Sequence, residues 1–387
     1  MRTEFDTIYD LCVYCFQHMQ SGESLALEAN VHEVPLTFHI YRLPNHYVFD
    51  SEQSVNKIFS LCDTTDTATQ ILLGFNISIN DGVVLTPPYR CKGMIIFDYG
   101  TTLNHGQISM TSRGCVAKGQ DIFLYYDSIN EIYEYVPAVG AAGATAYEIT
   151  TNNKPVHGRN GSNGINRQTG GGGNGGARRY QHLVSIGRGG NGTSYSGGSG
   201  AGAGNSDGSG GSKVYVEQGS DIGGAGSKGI THAGNSSGYS MISTGGQGNP
   251  PGGYEAYRGT VRSVYTDIYG TGGLLIMYCT NLYNYGNIQS NGGNTMYADA
   301  TIDNISTGGA SGGGSVNIFY ISNIIEGTIT ANGGIRFGGG TYRGGLGGNG
   351  CVTISYLIQN VKEVRNNSNL YKDSIPQENF DFYKLFS

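Results

Sequence analysis

The chain has 387 residues and a formal net charge of −6, and 66 of its residues are glycine. This length exceeds what one compact core usually holds, so several modules or an elongated repeat fold are expected. A surface that binds the phosphate backbone of a nucleic acid requires clustered Lys and Arg. This sequence has no such cluster, so no nucleic acid partner is expected.

Composition changes sharply near Val139. Residues 1–139 contain 8 of the 66 glycines, and residues 140–350 contain the other 58. Residues 1–139 carry 7 Lys or Arg side chains against 16 Asp or Glu, a net charge of −9, whereas residues 140–356 carry 12 against 9. We therefore expect an acidic N-terminal part followed by a glycine-rich part of different architecture.

The first element predicted is an amphipathic helix over residues 4–20, with Thr3 as its cap and Gly22 just past its end. Its apolar face consists of Phe5, Ile8, Tyr9, Cys12, Cys15, Phe16 and Met19. The Cys-x-x-Cys pair shares this face, and the seven scattered cysteines include no second pair at zinc spacing. Core packing is favoured over a metal site, and no cofactor is expected.

The N-terminal residues lack the uninterrupted apolar core of a signal peptide. No stretch reaches the ~18 apolar residues of a membrane span. We therefore expect synthesis in the cytoplasm without a signal peptide and no membrane insertion.

Short β-branched and aromatic runs between turn signals predict strands from Val34 to Tyr126. Residues 157–253 are dominated by glycine, which leaves two alternatives: a flexible linker, or extended helices with three residues per turn. Glycine recurs every third residue at 158, 161, 164, 170, 173 and 176, and Arg167 breaks this frame. Strand-like runs at 182–186, 213–222 and 239–243 favour an ordered segment.

A repeat follows. Gly273 and Gly286 are thirteen residues apart, as are Gly314 and Gly327, and each second glycine is followed by x-Ile. A fainter copy spans Gly93 to Gly106. Such self-similarity is typical of stacked units, and Gly350–Ile358 would begin a last, truncated coil.

We predict an all-β protein, an elongated glycine-rich repeat that is β-helix-like or a glycine-helix sandwich, with a small α+β N-terminal module. The expected segments are an N-terminal attachment module (1–90), a first repeat-like β segment (91–139), a glycine-rich region (140–260), β-repeat coils (261–358) and a C-terminal cap or linker (359–387).

No catalytic residue is predicted. The G-x-G-x-x-G run at Gly187–Gly192 precedes no helix pattern, which a dinucleotide site requires. Asp299, Asp303 and Glu326 are the acids that a polysaccharide-cleaving site would use, but nothing in the sequence brings two of them onto one face.

The tyrosines are more informative about function than these acids. Residues 140–356 contain 16 tyrosines, two phenylalanines and no tryptophan, and tyrosine is preferred where one ring edge stays wet. Tyrosines beside Gly, Asn or Ser predict exposed rings that bind a ligand or pack on a partner. These residues are Tyr195, Tyr239, Tyr254, Tyr257, Tyr283, Tyr285, Tyr297 and Tyr342. Half-buried packing is the alternative.

The phrases "TGGGGNGG", "GTGGLLIMY", "GNIQSNGGN" and "GGLGGNGCVTISYLI" resemble the glycine-rich repeat proteins of Gram-positive bacteria and their phages, several of them of tail-fibre or receptor-binding type. The resemblance covers residues 90–358. It implies an elongated, β-rich homo-oligomer such as a trimer, whose distal part touches a cell surface, and it transfers no functional residue.

The leading hypothesis is a structural protein of a phage or phage-tail-like particle, made in the host cytoplasm, that acts as an adhesin or receptor-binding fibre. Its partners would be a bacterial surface polysaccharide and other virion or tail proteins held through the N-terminal module. A polysaccharide depolymerase and a non-binding decoration or filament subunit are the alternatives.

Overall fold

The structure is a computed structural model. It describes residues 1–63, 68–115, 117–144, 158–173, 177–178, 189–200, 204–205, 254–257, 260–263, 270–294, 309–335 and 344–357.

The described chain contains two helices, α1 (Ile8–His18) and α2 (Glu52–Ile58). Its strands are β1 (Glu4–Phe5), β2 (Ser24–Val31), β3 (Val34–Arg42), β4 (Tyr47–Phe49), β5 (Thr69–Gly74), β6 (Ile77–Ile79), β7 (Val84–Leu85), β8 (Met94–Asn104), β9 (Gln107–Ser109), β10 (Ile122–Asp127), β11 (Ile132–Val136), β12 (Ala177–Arg178), β13 (Gly204–Asn205), β14 (Tyr254–Tyr257), β15 (Thr260–Ser263), β16 (Leu274–Asn284), β17 (Asn287–Gln289), β18 (Ser315–Ile325), β19 (Thr328–Thr330) and β20 (Cys351–Tyr356).

The prediction of a β-rich protein is confirmed. The largest sheet has the strand order β1-β2-β3-β5-β8-β16-β18-β20, with β4 and β6 attached beside β8. It is mixed, because β2 and β3 pair antiparallel and the other pairs are parallel. A second, parallel sheet has the order β19-β17-β9-β7.

The predicted stacking of the repeats is confirmed. Strands β8, β16 and β18 each begin one residue after the first repeat glycine, and β9, β17 and β19 each begin one residue after the second. Leu275 pairs with Met94 on one side and with Val316 on the other, so the three copies lie adjacent and in register. Strand β20 adds the last, truncated copy beside β18.

The boundary at residue 90, expected where the first repeat-like segment begins, falls inside the main sheet. Strand β5 lies before this boundary and β8 after it, and the two pair directly, with Ile71 opposite Ile95. The segments 1–90, 91–139 and 261–358 therefore contribute strands to one sheet and share its packing.

Helix α1 forms where helical spacing predicted it, but it is shorter than residues 4–20. It begins at Ile8 because the Thr7 side chain accepts a hydrogen bond from the Asp10 N–H, while Asp10 accepts one from the Thr7 N–H. The predicted cap at Thr3 is therefore wrong. Glu4–Phe5 instead forms strand β1 beside β2.

Alternation along the strands divides the core into two layers. On β16, Ile276 and Tyr278 belong to the layer that contains α1 and β10, whereas Leu275 and Met277 belong to the layer that contains the second sheet. Both sides of the repeat strands are thus buried. This explains why "LLIMYC" reads as a continuous apolar run.

The glycine-rich segments outside the strands pack side by side through backbone hydrogen bonds. They are residues 140–144, 158–164, 169–173, 189–192, 197–200, 270–273, 290–294, 309–314, 331–335 and 344–350. Within 169–173, Gly170 and Gly173 both donate to segment 309–314. Between them, Gly171 donates to 158–164 and Gly172 to 189–192. Residues three apart therefore face the same neighbour.

Two of these segments are enclosed on all sides. Segment 169–173 bonds to six neighbours, which are 140–144, 158–164, 189–192, 197–200, 309–314 and 344–350. Segment 309–314 likewise bonds to 169–173, 197–200, 270–273, 290–294, 331–335 and 344–350. The interior position explains the run of four glycines at 170–173. A Cβ on Gly171 would collide with the carbonyl oxygen of Ala142.

Within residues 157–253 the structure describes 158–173, 177–178, 189–200 and 204–205. The order predicted for this region holds there, because glycines of 158–173 and 189–200 are hydrogen-bonded into the packed segments and β12 pairs with β13. The strand-like runs at 182–186, 213–222 and 239–243 lie outside the described residues.

Candidate functional site

The prediction of an exposed ring is wrong at Tyr195. Its side chain is 1% exposed, and its hydroxyl donates to Gln120 Oε1 at 3.0 Å. The ring belongs to the core layer that contains α1 and β10, with the Lys92 ammonium 5.6 Å from its centroid. Burial raises the pKa of this phenol. The flanking Ser194 and Ser196 are buried as well, so small polar neighbours mark close packing here and not exposure.

The prediction of an exposed ring is confirmed at Tyr285, which is 58% exposed, whereas Tyr283 is half-buried. Tyr254 and Tyr257 are the first and last residues of β14, which pairs antiparallel with β15. The other predicted tyrosines, Tyr239, Tyr297 and Tyr342, lie outside the described residues.

Tyr283 belongs to a row that crosses five parallel strands, from β4 and β6 to β8, β16 and β18. In register order the row is Val48, Ser78, Leu103, Tyr283 and Ile325. None of these side chains is fully buried, and Val48 and Ile325 are 44% and 42% exposed. Because alternate residues of a strand face the same way, the row lies on one outward face of the sheet.

A polar row lies two residues earlier on the same face. Asn281 Nδ2 donates to Thr101 Oγ1 at 3.2 Å, and Asn323 Nδ2 donates to Asn281 Oδ1 at 3.0 Å. These bonds link three adjacent strands and hold each amide in a fixed orientation.

The turns that follow β8 and β16 bring two rings together. His105 and Tyr285 stack with 5.2 Å between centroids and 17° between planes. They are held because buried Asn104 and Asn284, the last residues of β8 and β16, are hydrogen-bonded to each other at 2.7 Å. The two rows and this stacked pair form a surface that we name the outer sheet face.

The outer sheet face has the chemistry of a shallow polar ligand site. Aromatic faces pack against the C–H face of a flat ligand, and oriented amides donate to and accept from its hydroxyl groups. Sequence reasoning found its tyrosines but missed Asn281, Asn323 and His105. The signal for them was the repeat register, which places equivalent positions of β8, β16 and β18 side by side.

The described residues provide no metal site: no group of three His, Cys, Asp or Glu side chains is arranged to hold an ion within them. Cys12 and Cys15 are buried in the core, as the helical spacing predicted. Burial raises the pKa of the Cys15 thiol to about 12 and that of Cys12 well above its usual value. Both are packing residues.

Of the three acids considered for a cleavage site, Glu326 is exposed at the turn after β18, and Asp299 and Asp303 lie outside the described residues. Neither helix of the described chain is long and apolar enough to cross a membrane.

A second aromatic surface was not predicted. The outward side of the β10–β11 hairpin carries Phe123, Tyr126, Tyr133 and Tyr135, and His32 from the β2–β3 turn stacks on Phe123 at 3.8 Å. We name these five residues the hairpin patch. The alternating aromatics of "IYEYV" are its sequence signal, and they lie in the glycine-poor half of the chain.

Comparisons with protein-family models, with curated proteins and with solved structures gave no match for this chain.

Proposed function

We propose that the protein is a structural component of a phage or phage-tail-like particle that acts as an adhesin for a bacterial surface glycan. The observation that carries this proposal is the outer sheet face, where two tyrosines and a stacked histidine adjoin a row of oriented amides. The surface is open and shallow, so each contact would be weak, and many copies on one particle would supply avidity.

We further propose that the glycine-rich segments are extended helices with three residues per turn, packed as a glycine-helix sandwich. The return of Gly170 and Gly173 to the same neighbour supports this architecture. Such packing gives a rigid support without a large apolar core, which suits an appendage exposed to solvent. A homo-oligomer, with a trimer as the simplest case, would multiply the binding surface.

The test is binding of the purified protein to extracted cell-wall polysaccharide and to intact Gram-positive cells. The variant Tyr283→Ser/Tyr285→Ser removes both rings from the outer sheet face. Tyr356→Ser is the matched control, because Tyr356 is 55% exposed on β20, away from this face. Loss of these two tyrosine rings should weaken binding about tenfold.

We expect the double variant to lose at least this factor and the control to bind as the wild type does. Equal binding by all three proteins would remove the outer sheet face as the site. Release of reducing ends from the polysaccharide would favour a depolymerase. Absence of binding would favour a decoration or filament subunit.

A further inference from the structure

The hairpin patch is an ordered array of rings. Phe123 stacks between His32 and Tyr135, with 5.6 Å between the Phe123 and Tyr135 centroids. Tyr133 meets Phe123 edge-on at 5.7 Å and contacts Tyr126 at 4.8 Å. The rings hold one another in place, so presenting them to a ligand costs little conformational entropy.

A bulge near Leu124 produces this arrangement. The β10–β11 register shifts between Phe123 and Tyr125, so that Leu124 and Tyr125 both pack inward. Tyr126 consequently faces outward beside Tyr133. Tyr126 and Tyr135 remain 40% and 44% exposed, although the inward side of the same hairpin is buried against α1 and β18.

The surroundings of the hairpin patch are negatively charged. Residues 121–136 contain four acidic side chains and no Lys or Arg. Of these acids, Glu134 faces inward and pairs with Arg167, whereas Glu131 is exposed at the hairpin turn. Glu33 is exposed next to His32. Partial burial and then the charge of Asp6 raise the pKa of Tyr133, so a further carboxylate acts on this ring.

From these contacts we propose that the hairpin patch is a docking surface for a basic, arginine-bearing segment of a partner protein. The hairpin patch is complementary in charge to such a segment, because its electron-rich ring faces and the carboxylates around it both attract a cation. A planar guanidinium satisfies both, because it stacks on a ring and donates to a carboxylate at the same time. This inference is independent of glycan binding by the outer sheet face.

The experiment measures binding of three twelve-residue peptides by calorimetry at 50 and 150 mM salt. The peptides repeat Arg-Gly-Ser, Lys-Gly-Ser or Gln-Gly-Ser. The proteins are the full chain, Tyr126→Ser/Tyr135→Ser, Tyr126→Phe/Tyr135→Phe and the control Tyr356→Ser. All keep the same net charge, and circular dichroism establishes that each is folded.

We expect the arginine peptide to bind the full chain most tightly and the glutamine peptide not to bind. The serine double variant should bind the arginine peptide about five- to tenfold more weakly, and the phenylalanine variant and the control should bind it as the full chain does. Equal affinity of the serine variant would reduce the interaction to net charge and overturn the proposal. Failure of the arginine peptide to bind would overturn it as well.

Polysaccharide binding by the two double variants shows which of the two surfaces binds sugar. If the serine double variant loses polysaccharide binding while Tyr283→Ser/Tyr285→Ser retains it, the hairpin patch is the sugar site and the docking proposal is wrong.

Discussion

The guanidinium of Arg167 lies 2.9 Å from the carboxylate of Glu134, and this pair joins the glycine-rich segments to the β10–β11 hairpin. The same guanidinium donates to Asn317 Oδ1 on β18 and to Ser355 Oγ on β20, each at 3.1 Å. It also lies 5.0 Å from the Phe319 ring centroid. Arg167 is therefore the residue at which three parts of the fold meet.

Replacing Arg167 by Met should destabilise the protein by about 3 kcal/mol, because it leaves Asn317 and part-buried Glu134 without their cation. Urea unfolding measures this change. The double variant Arg167→Met/Glu134→Gln should recover part of the loss. If the loss of stability in the double variant instead equals the sum of the losses in Arg167→Met and Glu134→Gln, the two residues do not stabilise the protein through their ion pair.

The interior of the glycine packing should not tolerate a side chain. Gly171→Ala places a methyl group against the carbonyl oxygen of Ala142, so either the segments separate or the chain does not fold. We expect a loss above about 3 kcal/mol in thermal or urea unfolding. Ser162→Ala is the control, because the exposed Ser162 accepts from Gly171 through its backbone alone and should change stability by less than about 0.5 kcal/mol.

Asp98 makes stability depend on pH. The carboxylate is 1% exposed and accepts from Asn76 N, Ile77 N, Gly100 N and Thr102 Oγ1, but burial outweighs these bonds and raises its pKa. A raised pKa in the folded state means that the contribution of Asp98 is complete below its unfolded pKa of about 3.9 and declines as pH rises.

The variant Asp98→Asn resembles the protonated acid and does not titrate. Its stability deficit relative to the wild type should therefore be largest near pH 4 and smaller at pH 7. Urea unfolding of both proteins across this range gives the difference directly. A deficit that stays constant with pH would contradict a raised pKa.

The cysteines should differ widely in reactivity. A pKa of about 12, against an ordinary value of 9.0, gives Cys15 a thiolate fraction about a thousandfold lower, and buried Cys12 and Cys279 are also shifted upward. Cys62 and Cys351 are only half-buried, whereas the other five cysteines are buried. We expect iodoacetamide at pH 8 to label Cys62 and Cys351 first, as read by peptide mass spectrometry. Early labelling of Cys12 or Cys15 in folded protein would exclude their burial.

Local sequence carried the predictions that proved accurate. The thirteen-residue glycine spacing located β8, β16 and β18 because a glycine precedes each long strand and another precedes each short one. Helical spacing likewise placed Cys12 and Cys15 on a buried face. The cap was misplaced by four residues, because Thr3 and Thr7 are equally good caps locally and only the pairing of β1 with β2 excludes Thr3.

The outcome for the tyrosines depended on distant contacts. Tyr195 and Tyr285 both follow polar neighbours, yet Tyr195 lies in the core and Tyr285 lies at an exposed turn. No local pattern distinguishes them, because burial depends on which segments return to cover a ring. The hairpin patch has the same origin: the bulge after Phe123 turns Tyr126 outward.

The sequence alone determined the repeat, its thirteen-residue glycine spacing, the β-rich class and the recurrence of glycine at every third residue, because these depend on spacing along the chain. Only the tertiary structure decided that the early and late segments share one sheet, which glycines are enclosed on all sides, and why the frame breaks at Arg167. At that point the chain turns a charged side chain toward Glu134, and the ion pair forms between residues that are neighbours only after folding.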